Sequence, residues 1–248
     1  MNGQHQLRLD GRVTVLTGAG GALGLLTTRT LLAQGAVVIA NHRSPSPGLD
    51  ALLAEYPDTL HLVRGDIGDE AYVVTLIAAA KSHGRVDVVV HAAAVSRDRA
   101  LVRMEVADWD DVMRVNLRAA FLVTKHAIRC MLRQRYGRFV YVSSLSGVIG
   151  LSGQANYAAS KAGLHGLAHS VAQEYGGHGI RTVVLAPGFL DSGLASAVPE
   201  PIRRLKAERT LLGVGSSAGV AETIAYLASA DADFINATTI RMDGGIAY

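Results

Sequence analysis

The stretch Val13-Thr-Val-Leu-Thr17-Gly18-Ala-Gly20-Gly21-Ala22-Leu23-Gly24 decides which fold this sequence predicts. Its first five residues are apolar or β-branched, which is typical of a buried strand. Glycines at 18, 20 and 21 follow, and a helical pattern begins at Ala22. Gly18 permits a tight turn, and the later glycines let backbone N–H groups approach a pyrophosphate at the start of a helix. The stretch therefore predicts a strand, a phosphate-binding loop and a helix in direct succession.

Strand-like and helix-like segments alternate along the rest of the chain. Most of the strand-like segments are continuous runs of valine, isoleucine and leucine, as expected when helices cover both faces of a parallel sheet. The predicted strands cover 12–17, 36–41, 59–65, 86–92, 138–143, 180–186 and 238–242. The predicted helices cover 22–34, 48–55, 69–83, 103–135, 155–176 and 216–229. We therefore predict an α/β fold: one domain over residues 1–248, with a Rossmann-like, doubly wound parallel sheet of about seven strands and helices on both faces.

The composition fits one globular domain and excludes several other classes of protein. The chain has 248 residues, of which 49% are hydrophobic and 18% charged, ordinary values for a globular protein. No apolar run reaches the ~18 residues of a membrane span, and the first eight residues lack the apolar core of a signal peptide. We therefore expect a cytoplasmic protein that does not bind membranes. The net charge of +3 is too small and too scattered to indicate nucleic-acid binding.

Two clusters of basic residues stand out within this modest charge, and one cysteine is present. The first cluster contains Arg129, Arg133, Arg135 and Arg138, and the second contains Arg203, Arg204, Lys206 and Arg209. Charges grouped in this way usually form the solvated face of a helix, and we interpret both clusters so. Cys130 cannot form an internal disulfide, and no spacing typical of metal ligands occurs, so no metal site is predicted.

Tyr157 and Lys161 form the pair of side chains that most clearly indicates chemistry. Residues four apart share one face of a helix, so this spacing sets a phenol beside an ammonium group. A free tyrosine titrates near pH ~10, and a nearby cation favours the phenolate and lowers that pKa. Such a tyrosine can exchange a proton with an alcohol or a carbonyl oxygen. The alternative interpretation is an ordinary exposed pair on a helix surface.

Two further polar residues accompany this pair. Ser144 ends the strand-like run that begins at Arg138. Asn116 lies inside a long helical pattern, where asparagine is unfavourable because its side chain competes for backbone hydrogen bonds. Together with the glycine stretch 13–24, these residues resemble, in order and spacing, the short-chain dehydrogenase/reductase family. The resemblance covers essentially the whole chain.

The resemblance implies carbonyl reduction with four catalytic residues. Ser144 and Tyr157 would bind the substrate oxygen by hydrogen bonds, and Tyr157 would supply the proton. Lys161 would keep the tyrosine acidic and hold the nicotinamide ribose. Asn116 would anchor a water that links Lys161 to solvent.

The resemblance also implies a dinucleotide site that spans several loops. The residues matching its contacts are Gly18, Gly20, Gly21, Leu23, Gly24, His42, Arg43, Asp66, Ile67, Ala92, Ala93, Tyr157, Lys161, Pro187, Gly188, Leu190 and Ser192. In dinucleotide folds an acidic residue near the end of the second strand holds the ribose hydroxyls of NAD. This chain has none there, and Arg43 with His42 could meet the 2′-phosphate of NADP, so we expect NADPH to be preferred over NADH. Residues 190–212 would form the lid over the substrate.

The chain departs from the family pattern at two places. Ala22 stands where the middle glycine of the loop is usual, and one methyl group there could shift the loop or weaken cofactor binding. His91-Ala92-Ala93-Ala94 replaces the usual Asn-Asn-Ala-Gly and is similar to the reductase modules of polyketide synthases. We predict that His91 is a core histidine bonded to backbone rather than a catalytic group, because Tyr157 already supplies the acid.

The substrate is indicated by residues 152–163 and by Ala186-Pro-Gly-Phe189, which look like those of 3-oxoacyl-[acyl-carrier-protein] reductases. The resemblance implies a 3-oxoacyl chain on an acyl carrier protein, in fatty-acid or polyketide biosynthesis. Arg135 matches one basic residue that docks the carrier, and His178 stands at the position of a second. A homotetramer is expected from the apolar helices, with a dimer as the alternative.

Three other functions stay open at this point. The first is a reductase or dehydrogenase that acts on a free ketone or alcohol and uses the same catalytic residues. The second is a non-catalytic dinucleotide sensor or scaffold, which would have no need of an acid–base relay. The third is an enzyme that works only beside another protein of its pathway, as the altered 91–94 motif could indicate.

Overall fold

The computed structural model describes residues 9–193, 204 and 207–246. Its seven strands are β1 (Val13–Thr17), β2 (Val37–His42), β3 (Leu60–Arg64), β4 (Val88–His91), β5 (Gly137–Val142), β6 (Ile180–Pro187) and β7 (Thr238–Met242). They form one sheet in the order β3-β2-β1-β4-β5-β6-β7, and every pairing is parallel. The predicted fold class and all seven predicted strands are confirmed, with differences of a residue or two at their ends.

The helices connect successive strands and cover both faces of the sheet. They are α1 (Ala22–Ala33), α2 (Pro47–Glu55), α3 (Glu70–Lys81), α4 (Val106–Met113), α5 (Ala119–Gln134), α6 (Ser146–Ile149), α7 (Ala155–Tyr175) and α8 (Ser217–Ala228). One hydrophobic core joins the sheet to α3, α5 and α7. A second core joins the opposite face to α1, α2 and α8. None of the helices in the described ranges is long and apolar enough to cross a membrane.

The predicted helix at 103–135 is wrong in its detail. A 3-10 turn occupies Leu101–Arg103, and the regular helix begins only at Val106. Between α4 and α5 the chain makes a π-helical turn at Arg114–Arg118. Such turns interrupt the regular hydrogen-bond ladder and often occur at functional sites, and this one carries Asn116. The four-residue helix α6 was also missed, because so short a segment has no hydrophobic period to detect.

The strand order places the functional loops together at one edge of the sheet. After β1 the chain continues to β2 on one side of the sheet, and after β4 it continues to β5 on the other side. The loops that follow β1 and β4 therefore diverge, and a crevice opens between them. Ligands of doubly wound sheets bind in this crevice, outside the carboxyl ends of the strands. Three residues of these loops directly follow a strand: Gly18 follows β1, Ala92 follows β4 and Gly188 follows β6. Ser144 lies two residues after the end of β5.

Arg138 corrects the interpretation of the first basic cluster as a solvated face. Its side chain is only 2% exposed, because residue 138 lies in the central strand β5 rather than on a helix. Its guanidinium donates to the carbonyls of Leu227 (2.9 Å) and Ala232 (3.0 Å), and it pairs with the carboxylate of Asp233. Arg138 therefore joins β5 to the end of α8, about ninety residues later in the chain.

We expect Arg138→Met to lower the free energy of unfolding by about 2–4 kcal/mol, because it leaves two carbonyls and a carboxylate without their donor. Urea unfolding measures the change. Arg29→Met is the control, since it removes an exposed ion pair with Glu55 (3.2 Å) and should cost less than about 1 kcal/mol. Equal losses in the two variants would contradict the stabilising role of the buried guanidinium.

Candidate active site

The glycine loop after β1 has the shape of an anion-binding cradle. Gly18 has φ +72°, and a Cβ built on it would lie 2.7 Å from the Cα of Ala93. A Cβ on Gly24 would lie 2.2 Å from the carbonyl oxygen of Gly18, so glycine is required for α1 to pack against the loop. In the described part of the chain no side chain caps α1 at Gly21, and its first turn has no acidic residue. The first N–H groups of α1 are therefore suited to a phosphate.

Ala22, the departure from the family pattern, begins α1 instead of closing the loop. A Cβ built on Gly193 would lie 3.8 Å from the Ala22 methyl group, which therefore points toward the segment that follows β6. The methyl group thus faces that segment, and the backbone cradle is formed by Gly18, Gly21 and Gly24.

Asn41, which sequence reasoning missed, fixes this loop from β2. Its side-chain oxygen accepts from the N–H of Gly18 (3.2 Å), and its amide donates to the carbonyl of Gly65 (3.1 Å) and to Tyr72 (2.8 Å). Asn41 is buried, and an amide supplies both a donor and an acceptor. The sequence feature that could have identified Asn41 is a polar residue at the end of an apolar strand.

His42 and Arg43 lie at the end of β2, where the resemblance placed them. His42 contacts the carbonyl of Ser44 (3.0 Å), and Arg64 donates to the carbonyl of Arg43 (3.2 Å). A Cβ on Gly20 would lie 3.5 Å from the Cβ of His42, so the loop and this strand end are in contact. The region is cationic and has no carboxylate between residues 41 and 46.

Asp66 and Ile67 follow β3 beside this region. The Asp66 carboxylate accepts from the N–H of Gly68 (2.8 Å) and pairs with Arg114 (2.9 Å). Partial burial acts to raise the pKa of Asp66, but the Gly68 N–H and the guanidinium of Arg114 outweigh it, and the pKa is lowered. Asp66 is therefore a fixed anion at the edge of the crevice.

Ser144, Tyr157 and Lys161 meet beyond the carboxyl end of β5. The Ser144 hydroxyl lies beside Tyr157 and acts to lower the pKa of its phenol. The ammonium of Lys161 lies 5.7 Å from the centre of the Tyr157 ring and donates to the carbonyl of Val142 (2.7 Å). A Cβ on Gly147 would lie 2.8 Å from the Cβ of Lys161, so close packing of α6 on α7 fixes this arrangement. The structure thus brings these three predicted residues together.

Asn116 lies next to α7 but contacts Ser160 rather than Lys161. Its side-chain oxygen accepts from the N–H of Val95 (2.8 Å), and its amide donates to the Val95 carbonyl (3.0 Å) and to Ser160 (3.1 Å). The side chain is buried and fully engaged. Any water anchored by this residue would therefore have to use its main-chain carbonyl.

His91 occupies the core, as predicted. It is fully buried at the end of β4, and its Nε2 lies 3.2 Å from the carbonyl oxygen of Asn116. Its Nδ1 lies 3.1 Å from the hydroxyl of Thr17. Burial, together with the charge of Lys161, lowers the pKa of His91 to about 3, so the ring is neutral at physiological pH.

The protonation of the central pair differs from the sequence-based expectation. Burial lowers the pKa of Lys161 to about 7. Burial also raises the pKa of Tyr157 to about 12; the hydrogen bond from Ser144 acts to lower it, and the charge of Asp98 adds to the increase. The expected lowering by the ammonium is therefore wrong for the protein without cofactor. Desolvation prevails because each group is itself withdrawn from solvent, and the Lys161 amine is directed at the carbonyl of Val142.

A line of hydrogen bonds leads from Ser144 to the surface, and sequence reasoning missed it. The N–H of Ser146 donates to the Ser144 hydroxyl (3.2 Å), and the hydroxyl of Ser146 donates to the Gln154 side chain (2.8 Å). The amide of Gln154 donates to Asp98 (2.7 Å), which is exposed. This line fixes the orientation of the Ser144 hydroxyl.

The segment after β6 closes another side of the crevice. A Cβ on Gly188 would lie 2.7 Å from the Cα of Asp243, which explains the glycine after Pro187. Leu190 pairs with Gly215, and the hydroxyl of Ser192 donates to that of Ser217 (2.7 Å). Of the predicted lid at 190–212, residues 194–203, 205 and 206 lie outside the described residues.

Arg135 and His178, the candidates for carrier docking, lie at the opposite edge of the sheet. A Cβ on Gly179 would lie 2.2 Å from the Arg135 carbonyl oxygen, so the two segments touch. Arg181, which was not predicted, donates to the Gly179 carbonyl (3.2 Å) and adds a third basic group. Strand β5 has six residues and separates Arg135 from Ser143 by about 20 Å. The basic groups of Arg135, His178 and Arg181 therefore lie at one end of this strand, and Tyr157 lies at the other.

Comparisons with known proteins agree with this geometry. A family model described as "Enoyl-(Acyl carrier protein) reductase" matches residues 18–247. A 3-oxoacyl-[acyl-carrier-protein] reductase of Thermotoga maritima is 37% identical over 245 residues, covering 97% of this chain and 99% of that protein. The Escherichia coli reductase of the same name is 32% identical over 244 residues, with 97% and 99% covered. Nodulation protein G of Rhizobium meliloti is 36% identical over 246 residues, with 96% and 98% covered.

A doubly wound sheet with a phosphate cradle and a Ser-Tyr-Lys site defines an oxidoreductase that uses a nicotinamide dinucleotide. The chain belongs to the short-chain dehydrogenase/reductase family. Within the described residues, no group of three or more His, Cys, Asp or Glu side chains could hold a metal ion.

The lowered pKa of Lys161 predicts a specific pH dependence of stability without cofactor. Between pH 7 and pH 10.5 the unfolded chain keeps the Lys161 proton, whereas the folded protein has lost it, so raising the pH favours folding. Relative to Lys161→Met, the wild type should gain on the order of 1–2 kcal/mol of unfolding free energy from pH 7 to pH 9. Lys125→Met, at an exposed ion pair, is the control. Parallel curves for wild type and Lys161→Met would contradict the shift.

Proposed function

We propose that this protein reduces a 3-oxoacyl thioester, carried on an acyl carrier protein, to the 3-hydroxyacyl product with NADPH. The reaction would belong to fatty-acid or polyketide biosynthesis, and we propose a cytoplasmic location, where NADPH and carrier proteins occur together. The observation that carries the proposal is that Ser144 and Tyr157 lie side by side next to buried Lys161. Two of the relatives named above are 3-oxoacyl-[acyl-carrier-protein] reductases, and this chain matches each of them over 99% of its length.

The site is suited to adding a proton to a carbonyl oxygen. When bound, NADPH supplies the hydride that adds to the carbonyl carbon. The hydroxyls of Ser144 and Tyr157 can both donate hydrogen bonds to the oxygen as negative charge develops on it. With a pKa of about 12, Tyr157 holds its proton at neutral pH and is ready to donate it. Lys161 lies close enough to stabilise the phenolate that remains.

We favour reduction of a carbonyl over reduction of a carbon–carbon double bond, although the matching family model is named for enoyl reduction. The neighbouring hydroxyls of Ser144 and Tyr157 can converge on one oxygen atom. Hydride addition to an enoyl thioester also places negative charge on an oxygen, that of the thioester, so the two hydroxyls do not by themselves distinguish the substrates. The two 3-oxoacyl-[acyl-carrier-protein] reductases among the relatives favour the ketone.

The cofactor site supports NADPH through its charge. Arg43 and His42 lie where β2 meets the glycine loop, and Arg64 is bonded to the Arg43 carbonyl. A guanidinium can bind the 2′-phosphate in a forked geometry, whereas a ribose diol would favour a carboxylate acceptor.

We also propose that the enzyme works as a homotetramer and that the carrier docks on its basic patch, defined by Arg135, His178 and Arg181. Phe121 on α5 is 48% exposed, an apolar surface suited to pairing with a second copy. A two-fold axis perpendicular to α5 would make the two α5 helices run antiparallel and would bring the patch of one subunit toward the catalytic edge of the other. Complementary charge would mainly accelerate the encounter with an acidic carrier.

The first test follows NADPH absorbance with a 3-oxoacyl thioester, presented on a carrier protein or as a small thioester mimic. We expect faster turnover on the carrier and a loss of about 10³-fold or more in Tyr157→Phe, which removes the proton donor. Arg135→Glu should lower kcat/KM for the carrier substrate alone, because the mimic does not use the patch. Equal rates on carrier and mimic would favour an enzyme for free ketones. Tight NADPH binding with no turnover of any ketone would favour a sensor.

Cofactor preference is tested by titrating NADPH and NADH into Arg43→Ala. Loss of one charge-assisted contact should weaken NADPH binding about 10- to 100-fold and leave NADH binding within about twofold. Arg29→Ala, at the exposed ion pair of α1, should change neither. Equal weakening of both dinucleotides, or tighter binding of NADH by the wild type, would contradict the role given to Arg43.

A further inference from the structure

The departure from the family pattern at residue 91 places a histidine between Thr17, which precedes the glycine loop, and Asn116, in the π-helical turn. His91 is the last residue of β4 and is 0% exposed. It pairs in register with Thr17 of β1 on one side and Tyr141 of β5 on the other. Its ring contacts one group from the cofactor side and one from the catalytic side.

The chemistry of these two contacts determines which nitrogen of His91 carries the hydrogen and which group donates in each bond. The Asn116 carbonyl can only accept, so Nε2 of His91 must carry the hydrogen (3.2 Å). In a neutral ring Nδ1 is then an acceptor, and the Thr17 hydroxyl donates to it (3.1 Å). The oxygen of Thr17 in turn accepts from the N–H of Ala93 (3.2 Å). All three bonds are consistent with a single tautomer.

The Asn116 contact continues into the catalytic helix. The amide of Asn116 donates to the hydroxyl of Ser160 (3.1 Å), which donates to the carbonyl of Tyr157 (2.7 Å). A directed chain of hydrogen bonds therefore runs from the loop after β4, through His91 and the π-helical turn, to the first turn of α7. Each member except Tyr157 is buried.

We propose that His91 is a positioning residue, and that the bond from its Nε2 to the Asn116 carbonyl sets Tyr157 and Lys161 against the cofactor loop. The π-helical turn lacks the regular ladder of the helices beside it, so contacts from outside the helix, namely those with His91, Val95 and Ser160, contribute to its position. Small displacements of Tyr157 and Lys161 would slow catalysis strongly, since a displacement of about 1 Å can lower the rate about 100-fold. The effect on rate rests on the proposed reductase function; the hydrogen-bonded chain does not.

Two substitutions separate the two contacts, because their side chains have different lengths. Asparagine at position 91 reaches only as far as Nδ1, so His91→Asn can keep the contact with Thr17 and loses the one with Asn116. Glutamine extends to the place of Nε2, so His91→Gln can keep the donor to the Asn116 carbonyl.

The test measures kcat, KM and the Kd for NADPH in both variants, on the substrate that the wild type turns over. We expect His91→Gln to retain kcat within about threefold, and His91→Asn to lower kcat about tenfold or more with KM and Kd nearly unchanged. Ser229→Ala is the matched control: it removes two buried hydrogen bonds (2.7 and 3.2 Å) at the far end of α8. It should lower thermal stability while leaving kcat unchanged.

A second measurement does not depend on turnover. Nitrogen-15 NMR of the histidine rings, with the His91 signals assigned by their loss in His91→Gln, should show a neutral ring with hydrogen on Nε2 at pH 7. A ring with hydrogen on Nδ1 would overturn the proposal. So would equal kcat values in His91→Asn and His91→Gln at matched stability. A wild type that reduces no ketone would refute the proposed function, and the NMR result would still decide the hydrogen-bonded chain.

Discussion

The parallel pairing of β1 with β4 is the constraint on which the site depends. Thr17 lies opposite His91 in this register, at the point where the chain turns away from the two strands in opposite directions. A parallel sheet exposes the carboxyl ends of its strands at one edge, so the loops after β1, β4, β5 and β6 converge there. The positions of the glycine cradle, of the Ser144 and Tyr157 hydroxyls and of the segment after β6 are consequences of this single arrangement.

Burial decides the protonation of the central residues. Lys161 and His91 both lie in the core, and desolvation favours the uncharged form of each, with pKa values of about 7 and 3. The same effect keeps Tyr157 protonated. The protein without cofactor thus already holds the Tyr157 phenol in the protonated form that the proposed reduction would consume. A bound dinucleotide would bring further charge and hydroxyl groups to Lys161, so its titration in the complex is a separate quantity.

Much of the fold was predictable because strong local signals agreed with the tertiary context. Most of the seven strands are apolar runs between glycine-rich or polar turns, and the glycines at 18 and 24 are required by contacts below 3 Å. The failures share a different cause. Arg138 is a charged residue whose partners lie about ninety residues away, and the π-helical turn at 114–118 has no local signature. Asn41 and the line from Ser146 to Asp98 likewise depend on which loops meet.

Residue type and short spacing were enough to predict the class of fold and the glycine cradle, and the family resemblance pointed to Ser144, Tyr157 and Lys161. Only the tertiary structure decided what those residues experience. It withdrew Tyr157 from solvent and so raised the pKa that a neighbouring ammonium was expected to lower. It directed the Asn116 side chain to Ser160, and it placed His91 between Thr17 and the Asn116 carbonyl. Desolvation and hydrogen-bond direction depend on neighbours distant in the chain, so spacing alone could not supply them.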